Sequence, residues 1–196
     1  MPAKTEITRA DILPREEFAK VRKTKRQELV DIKRNRRVEV GPVATFYFEN
    51  YHTMWWQVQE MLYIEKGGEK QIPDELAAYN PLVPKGRELV ATVMFEIDEP
   101  VRRASFLAKL GGVEESAFLE FAGETIAGVP ETDVDRTSAE GKASSVQFIH
   151  FPFTDEQARK FGTAGAHVVI GFRHPQYSHM AVLPEPVRQA LAGDFG

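Results

Sequence analysis

Hydrophobic and polar residues alternate along several short segments, and a period of two predicts β-strands. The clearest strand is RELVATVMFEI, residues 87–97, whose apolar residues at every second position share one face. Turn residues divide 38–48 at Gly41-Pro42 and 117–129 near Gly123, so each segment predicts a β-hairpin. Residues 145–151 and 166–172 predict two more strands. On the first of these, His150 follows Val146 and Phe148 on a face that is otherwise apolar.

Helical periodicity marks the other segments. Residues 11–37 predict a long helix with Pro14 in its first turn and a thin apolar stripe, which contains Phe18 and Leu29. Residues 53–68 predict a second helix, with Thr53 as its N-cap and glycines at its end. Shorter helices are predicted at 73–79, 100–110, 154–161 and 184–191. The polar segment 130–144 is the best candidate for a mobile loop.

Hairpins and helices therefore alternate without the regular βαβ rhythm of a parallel sheet. This order predicts a single α+β domain with a mainly antiparallel sheet of six to eight strands, a long N-terminal helix and several shorter helices. Residues 1–37, which contain the basic helix, are expected to belong to the same domain as the body, 38–196.

Composition removes several classes of function. The chain of 196 residues contains no cysteine, which excludes disulfides, thiol catalysis and cysteine-held iron–sulfur clusters within it. It shows no signal peptide and no apolar run long enough to cross a membrane, so we expect a cytoplasmic protein without membrane insertion. The motifs H-E-x-x-H, G-x-G-x-x-G and G-x-S-x-G and the P-loop do not occur.

Charge is unevenly distributed although the net charge is only −4. Residues 15–37 contain ten Lys/Arg and four Asp/Glu, a local charge of +6. The structural interpretation is a solvated helix face that packs on an acidic body. The alternative is a contact with nucleic acid or an acidic partner, with Arg34, Arg36 and Arg37 as the anion-binding residues.

The segment GFRHPQYSHM, residues 171–180, concentrates polar groups at the end of a predicted strand. Pro175 ends the strand, and His174 and Tyr177 can project from the corner. Glu65 falls within the apolar arc of the second helix, so it should either reach solvent at the helix end, two residues later, or have a partner, because an unpaired buried carboxylate is costly. We therefore predict that His174 and Tyr177 share a pocket with Glu65 or Glu49, and that His174 and Glu65 are metal ligands. Histidine and carboxylate together suit iron, manganese or zinc. A simple polar turn is the competing interpretation.

The segments DILPREEF, FEN, QVQEM, AAYNPLVP, ELVATVMFEI, SVQFIHF and HPQY occur in this order. In this the chain resembles, nearly end to end, a bacterial family, domain-of-unknown-function family 3501. The resemblance implies that its gene lies beside genes for rubrerythrin-like di-iron proteins and an iron–sulfur oxidoreductase, and hence a role near peroxide or redox metabolism. The chain itself lacks the paired Glu-x-x-His motifs of a di-iron bundle.

Three hypotheses about function remain open. The first is an accessory protein in an iron-linked redox or peroxide-stress pathway that binds a metal ion or a small ligand. The alternative is a module that binds nucleic acid or an acidic partner through the basic helix, although the acidity of the whole chain disfavours nucleic acid. The third is an enzyme that acts on a small substrate.

Overall fold

The computed structural model describes residues 4–132 and 136–196, and these contain six α-helices and nine β-strands. The helices are α1 (Arg15–Arg34), α2 (Tyr51–Glu65), α3 (Ile72–Tyr79), α4 (Pro100–Leu107), α5 (Asp155–Gly162) and α6 (Glu185–Ala192). The strands are β1 (Arg37–Val40), β2 (Ala44–Phe48), β3 (Glu88–Phe95), β4 (Ala117–Phe121), β5 (Glu124–Ala127), β6 (Val129–Pro130), β7 (Val146–Pro152), β8 (Val168–Phe172) and β9 (Met180–Val182).

The strands form two antiparallel sheets. The first has the order β1-β2-β3-β7-β6 and the second the order β5-β4-β8-β9. The α+β class and the antiparallel pairing are confirmed, and the chain is one domain. The expected single sheet of six to eight strands is wrong, since the described strands divide into sheets of five and four. Alternation shows which face of a strand is buried but not which strands pair with one another.

The main core lies between the two sheets. On β3 the predicted face is confirmed, because Leu89, Ala91, Val93 and Phe95 are all buried. Phe172 of β8 approaches them from the second sheet, with its ring centroid 5.9 Å from that of Phe95. Apolar residues at alternate positions of both sheets thus fill one continuous interior.

Helices α1, α2 and α3 form a layer over the outer face of the first sheet. A second apolar cluster joins them to the sheet, with Met54 and Val58 of α2 packed near Val90 of β3. Phe18 of α1 is fully buried and contacts the rings of Trp55 and Trp56. Because only Phe18 and Leu29 of α1 are buried, most of this helix faces solvent.

Two local predictions need correction. Helix α2 begins at Tyr51, and Asn50 is its N-cap, while the expected cap Thr53 lies at the third helical position and bonds back to Asn50. On β7 the fully buried face carries Gln147, Ile149 and Phe151. The face of His150 is only partly buried, because it turns toward the helical layer rather than toward the second sheet.

The segment that follows α1 meets the C-terminal residues inside the protein. Arg36, which follows α1, is buried and forms an ion pair with Asp194, which is also buried. The Arg36 guanidinium also donates to the carbonyl oxygens of Phe48 and Glu49, each at 3.0 Å. Burial raises the pKa of Asp194, and the charge of Arg36 opposes that rise.

The predicted mobile loop, 130–144, includes residues 133–135, which lie outside the described residues. On either side of them, β6 pairs with β7, and Thr137 forms a bridge with Ala143. Within the described ranges, none of the helices combines the length and hydrophobicity needed to span a membrane.

Candidate functional site

The corner 171–180 is the tight connection between β8 and β9. The backbone N–H of Tyr177 donates to the carbonyl of His174 at 2.9 Å, and the two residues form a bridge. Nε2 of the His174 ring donates to the carbonyl of Gly111 at 3.1 Å, while Nδ1 accepts from the backbone N–H of Gln176 at 3.2 Å. Both ring nitrogens therefore bond to the protein backbone.

Tyr177 points into the core rather than into a pocket. Its hydroxyl donates to the carbonyl of Val40 at 2.7 Å and accepts from the backbone N–H groups of Val43 and Ala44 at 3.3 and 3.1 Å. These groups belong to the turn between β1 and β2. Burial raises the pKa of Tyr177. The side chain thus fastens one hairpin turn to another.

The two candidate carboxylates lie elsewhere. Glu65, at the exposed end of α2, accepts from Nε2 of Gln71 at 2.6 Å. Glu49 is buried and accepts from the hydroxyls of Thr53 and Thr92 at 2.6 and 2.7 Å. Glu49 follows the far end of β2 from the turn that holds Tyr177, a separation of roughly 17 Å along the strand.

The structure therefore does not bring His174, Tyr177, Glu65 and Glu49 together. His174 and Tyr177 pair only through their backbones, and their side chains bond to different backbone groups. Glu65 and Glu49 bond to polar side chains elsewhere in the fold. Among residues 4–132 and 136–196, no group of three or more histidine, aspartate or glutamate side chains is placed to hold a metal ion.

His150 is the histidine with the strongest electrostatic contacts. Its Nδ1 lies 2.8 Å from an oxygen of Glu88, and its Nε2 lies 2.7 Å from an oxygen of Glu131. Burial opposes the charged imidazolium, but hydrogen bonds and charges from both carboxylates outweigh this effect and raise the pKa of His150. The two carboxylates bind opposite edges of the ring, so they hold the imidazolium rather than converge on a shared ion.

A wide concave surface lies beside α1. This surface, which we call the basic groove, has a volume of about 600 Å³. Trp56 and Glu60 of α2 line it together with residues from α1 and the start of β1: Arg22, Arg26, Leu29, Val30, Lys33, Arg34 and Arg37. On α1 these residues are spaced three and four apart, which places them on one face of the helix.

Carboxylates neutralise some of the cations in the groove. Arg22 makes a bidentate pair with Glu60 at 2.6 and 2.8 Å. Arg34 pairs with Asp31, and Arg37 pairs with Glu39. Arg26 and Lys33 are exposed and make no ion pair with any residue in the described ranges. These two cations keep their charge available to a ligand.

The expected anion-binding trio of Arg34, Arg36 and Arg37 needs one correction. Arg34 and Arg37 do line the groove, but Arg36 is buried and bound to Asp194. The alternation around the helix end turns Arg36 inward, between two residues that face out. The charge of the segment alone could not show that Arg36 is buried while Arg34 and Arg37 are exposed.

Comparisons with known proteins give the family. The family model described as protein of unknown function (DUF3501) matches residues 6–195. The chain belongs to the DUF3501 family. A crystal structure of a novel protein of unknown function from Burkholderia pseudomallei K96243 is similar to it, with a TM-score of 0.89 and 36% identity. The match covers 97% of this chain and 99% of that chain. Nothing among curated proteins matches significantly.

Of the residues that line the groove of this DUF3501 protein, Arg34 and Arg37 were expected from the sequence, whereas Arg22, Arg26, Lys33 and Trp56 were not. Arg22, Arg26 and Lys33 carry a signal that the sequence does contain, because their spacing follows the helical period. No pattern in the sequence indicates that Trp56 lines the groove. Its position at the groove depends on how α2 packs against α1, and that packing rests on Phe18.

Proposed function

We propose that this DUF3501 protein is a docking protein whose basic groove binds an acidic, partly apolar segment of a partner protein. The observation that carries the proposal is the pair of unneutralised cations, Arg26 and Lys33, beside the apolar surface of Leu29, Val30 and Trp56. Charge at the rim steers a partner of opposite sign, and an aromatic side chain at the centre supplies contact area.

Two features favour a protein segment over nucleic acid. Asp31, Glu39 and Glu60 are interleaved with the cations and would repel a continuous phosphate backbone. The net charge of −4 also repels a polyanion at long range more strongly than it repels a short peptide with few carboxylates. A peptide can instead place its carboxylates opposite Arg26 and Lys33 while an apolar side chain contacts Trp56.

A docking role is compatible with the accessory function in iron-linked redox metabolism that the family resemblance implies. Rubrerythrin-like proteins and iron–sulfur oxidoreductases are accordingly the partners to test first. The proposal requires no metal site in this chain, and the separated positions of His174 and Glu65 give no support to the metal hypothesis.

The test compares two charge reversals on the same helix. The first, Arg26→Glu with Lys33→Glu, changes the groove. The second, Lys20→Glu with Lys23→Glu, changes exposed residues of α1 that do not line the groove, and it alters the net charge by the same amount. The probe is a fluorescein-labelled peptide of alternating glutamate and leucine, followed by fluorescence anisotropy at low and physiological salt.

We expect the groove variant to weaken binding by about tenfold or more, because two rim contacts become repulsive. The control variant should change the affinity only about twofold, and circular dichroism should be the same for all three proteins. Equal losses in both variants would show that net charge alone attracts the peptide. Tighter binding of a short duplex DNA than of the peptide would support the nucleic-acid alternative instead.

A further inference from the structure

The ring of His150 lies between two carboxylates from different parts of the first sheet. On β7, its Nδ1 is 2.8 Å from an oxygen of Glu88 and its Nε2 is 2.7 Å from an oxygen of Glu131. All three side chains are largely buried, with exposed fractions of 18%, 16% and 22% for His150, Glu88 and Glu131. An ionised carboxylate only accepts hydrogen bonds, so both contacts are hydrogen bonds only when both ring nitrogens carry a proton. The arrangement is therefore complete only with the imidazolium.

A neutral imidazole can keep only one of these two bonds. It has one N–H group and one lone pair, and the lone pair repels the carboxylate that faces it. Glu88 is the better anchored of the two carboxylates. Its other oxygen accepts from the backbone N–H of Lys85 at 3.0 Å, and its strand β3 pairs with β7 along almost its whole length. The remaining proton should therefore stay on Nδ1, toward Glu88, and the lone pair of Nε2 should face Glu131.

The segment that carries Glu131 is a weak edge of the first sheet. Glu131 directly follows β6, a strand of two residues at the end of the sheet order. Pro130 has no N–H to donate to the ladder, and Val129 is 50% exposed, so it buries little apolar surface. The backbone N–H of Glu131 donates to the carbonyl of Phe148 at 2.9 Å. Among residues 4–132 and 136–196, the Glu131 carboxylate bonds only to His150.

Other charged groups near the ring act less directly. Arg136 lies over the ring of Phe148, 4.6 Å from its centre, and Phe148 precedes His150 by two residues on the same face of β7. A cation there disfavours the imidazolium. The ammonium group of Lys85 donates to two backbone carbonyl groups outside this strand pair. Burial also opposes the charged ring, but the hydrogen bonds and charges of the two carboxylates together outweigh it and raise the pKa of His150.

We propose that His150 is a proton-controlled latch, whose imidazolium binds Glu131 and so holds β6 on the edge of β7. When the Nε2 proton leaves to solvent, a lone pair faces Glu131, the carboxylate turns away, and the pairing of segment 129–131 with β7 weakens. The Nδ1 proton stays bound to Glu88. The latch uses no residue that lines the basic groove, so it does not depend on the proposed docking function.

The test follows the unmodified ¹⁵N-labelled protein by NMR between about pH 6 and pH 9. Because the folded-state pKa of His150 is raised, the imidazolium should persist above about pH 6.5 and be lost as the pH rises through that pKa. Ring ¹⁵N shifts report which nitrogen keeps its proton, and we expect Nδ1. Amide hydrogen exchange, corrected for base catalysis, should show that protection of the Glu131 N–H falls at least about tenfold across this transition. The N–H of Phe95, which bonds to the carbonyl of Ser145 at 2.8 Å, should keep its protection.

Glu131→Gln is the informative variant, and Glu115→Gln is its matched control. Glutamine can accept from an Nε2–H group through its oxygen or donate to the Nε2 lone pair through its nitrogen, so it binds both forms of the ring. Glu131→Gln should therefore remove the pH dependence of amide protection at position 131. It should also lower the pKa of His150 by about one unit, because linkage equates a tenfold change in docking with one pKa unit. Glu115 is exposed and forms no ion pair within the described ranges, so Glu115→Gln removes the same charge and should leave both quantities unchanged.

Three results would overturn the proposal. The Glu131 N–H could be equally protected at both ends of the pH range, the neutral ring could carry its proton on Nε2, or Glu131→Gln could keep the pH dependence of the unmodified protein. The second result would make Glu88 the carboxylate that is released. The first two measurements use the unmodified protein, so they decide the matter even if Glu131→Gln does not fold.

Discussion

Replacing Tyr177 by phenylalanine tests whether the corner 171–180 is structural. The change removes one oxygen that bonds to Val40, Val43 and Ala44, while the ring can keep its edge contacts with Phe95, Phe106 and Phe172. Among the contacts of residues 4–132 and 136–196, the interactions lost are therefore the hydrogen bonds to the turn between β1 and β2.

The size of the expected destabilisation follows from the backbone groups that Tyr177→Phe leaves without a hydrogen-bond partner. A buried backbone group that loses its partner costs about 1–3 kcal/mol. The contact with Val43 is long and partly exposed, so the carbonyl of Val40 and the N–H of Ala44 dominate. We expect Tyr177→Phe to reduce the free energy of unfolding by about 2–4 kcal/mol.

Urea denaturation followed by circular dichroism measures this loss, and an unchanged m-value would show that two-state unfolding is preserved. Tyr63→Phe is the control, because the Tyr63 hydroxyl makes no hydrogen bond within the described residues. Its expected effect is within about 0.5 kcal/mol. A loss below about 1 kcal/mol at Tyr177 would refute the reasoning and leave the hydroxyl available for a ligand.

Two further predictions concern buried charges. Arg36→Ala should cost about 3–5 kcal/mol in urea denaturation, because it leaves the Asp194 carboxylate buried without its cation. Arg36→Met with Asp194→Leu should cost clearly less, and an equal loss would contradict the ion-pair argument. The second prediction concerns His150, whose folded-state pKa is raised. Its stabilisation is fully present below about pH 6.5, the unfolded pKa, and is lost as pH rises through the folded pKa. His150→Gln should therefore destabilise the protein more at pH 6 than at pH 9, and a pH-independent difference would contradict this assignment.

The fold could be predicted from the sequence where one face of an element is clearly apolar. β3 is the best example, since its alternation identified a buried face that includes Val93 and Phe95. β7 shows why this reasoning fails elsewhere. It lies between the second sheet and the helical layer, so both of its faces carry apolar residues, and the interior face even includes Gln147. Alternation alone cannot rank two such faces.

The candidate site was harder to predict because its contacts join residues far apart in the chain. Tyr177 has acceptable chemistry for a ligand, but its partners lie in a turn that precedes it by more than 130 residues. Glu65 lies at the exposed end of α2 rather than in a buried arc, so its carboxylate reaches solvent and also accepts a hydrogen bond from Gln71 just beyond the helix. The residue types were informative, whereas the directions of the side chains depended on tertiary packing.

The charge of α1 is best understood by asking what the fold requires of this helix. Its packing rests on Phe18 and Leu29, while Arg36 after its end connects it to the C-terminal residues. Neither contact requires cations at positions 26 and 33. Arg22 and Arg26 are like charges four residues apart, which costs a helix about 0.2–0.5 kcal/mol. Lys33 lies in the last turn, where the negative end of the helix favours a cation, and Arg22 is paired with Glu60. Stability therefore gives no reason for the cation at position 26, whereas the proposed binding of carboxylates in the groove gives one. The cost is small enough for a binding function to offset it, which is why Arg26 and Lys33 rather than the buried Arg36 are the residues on which the docking proposal rests.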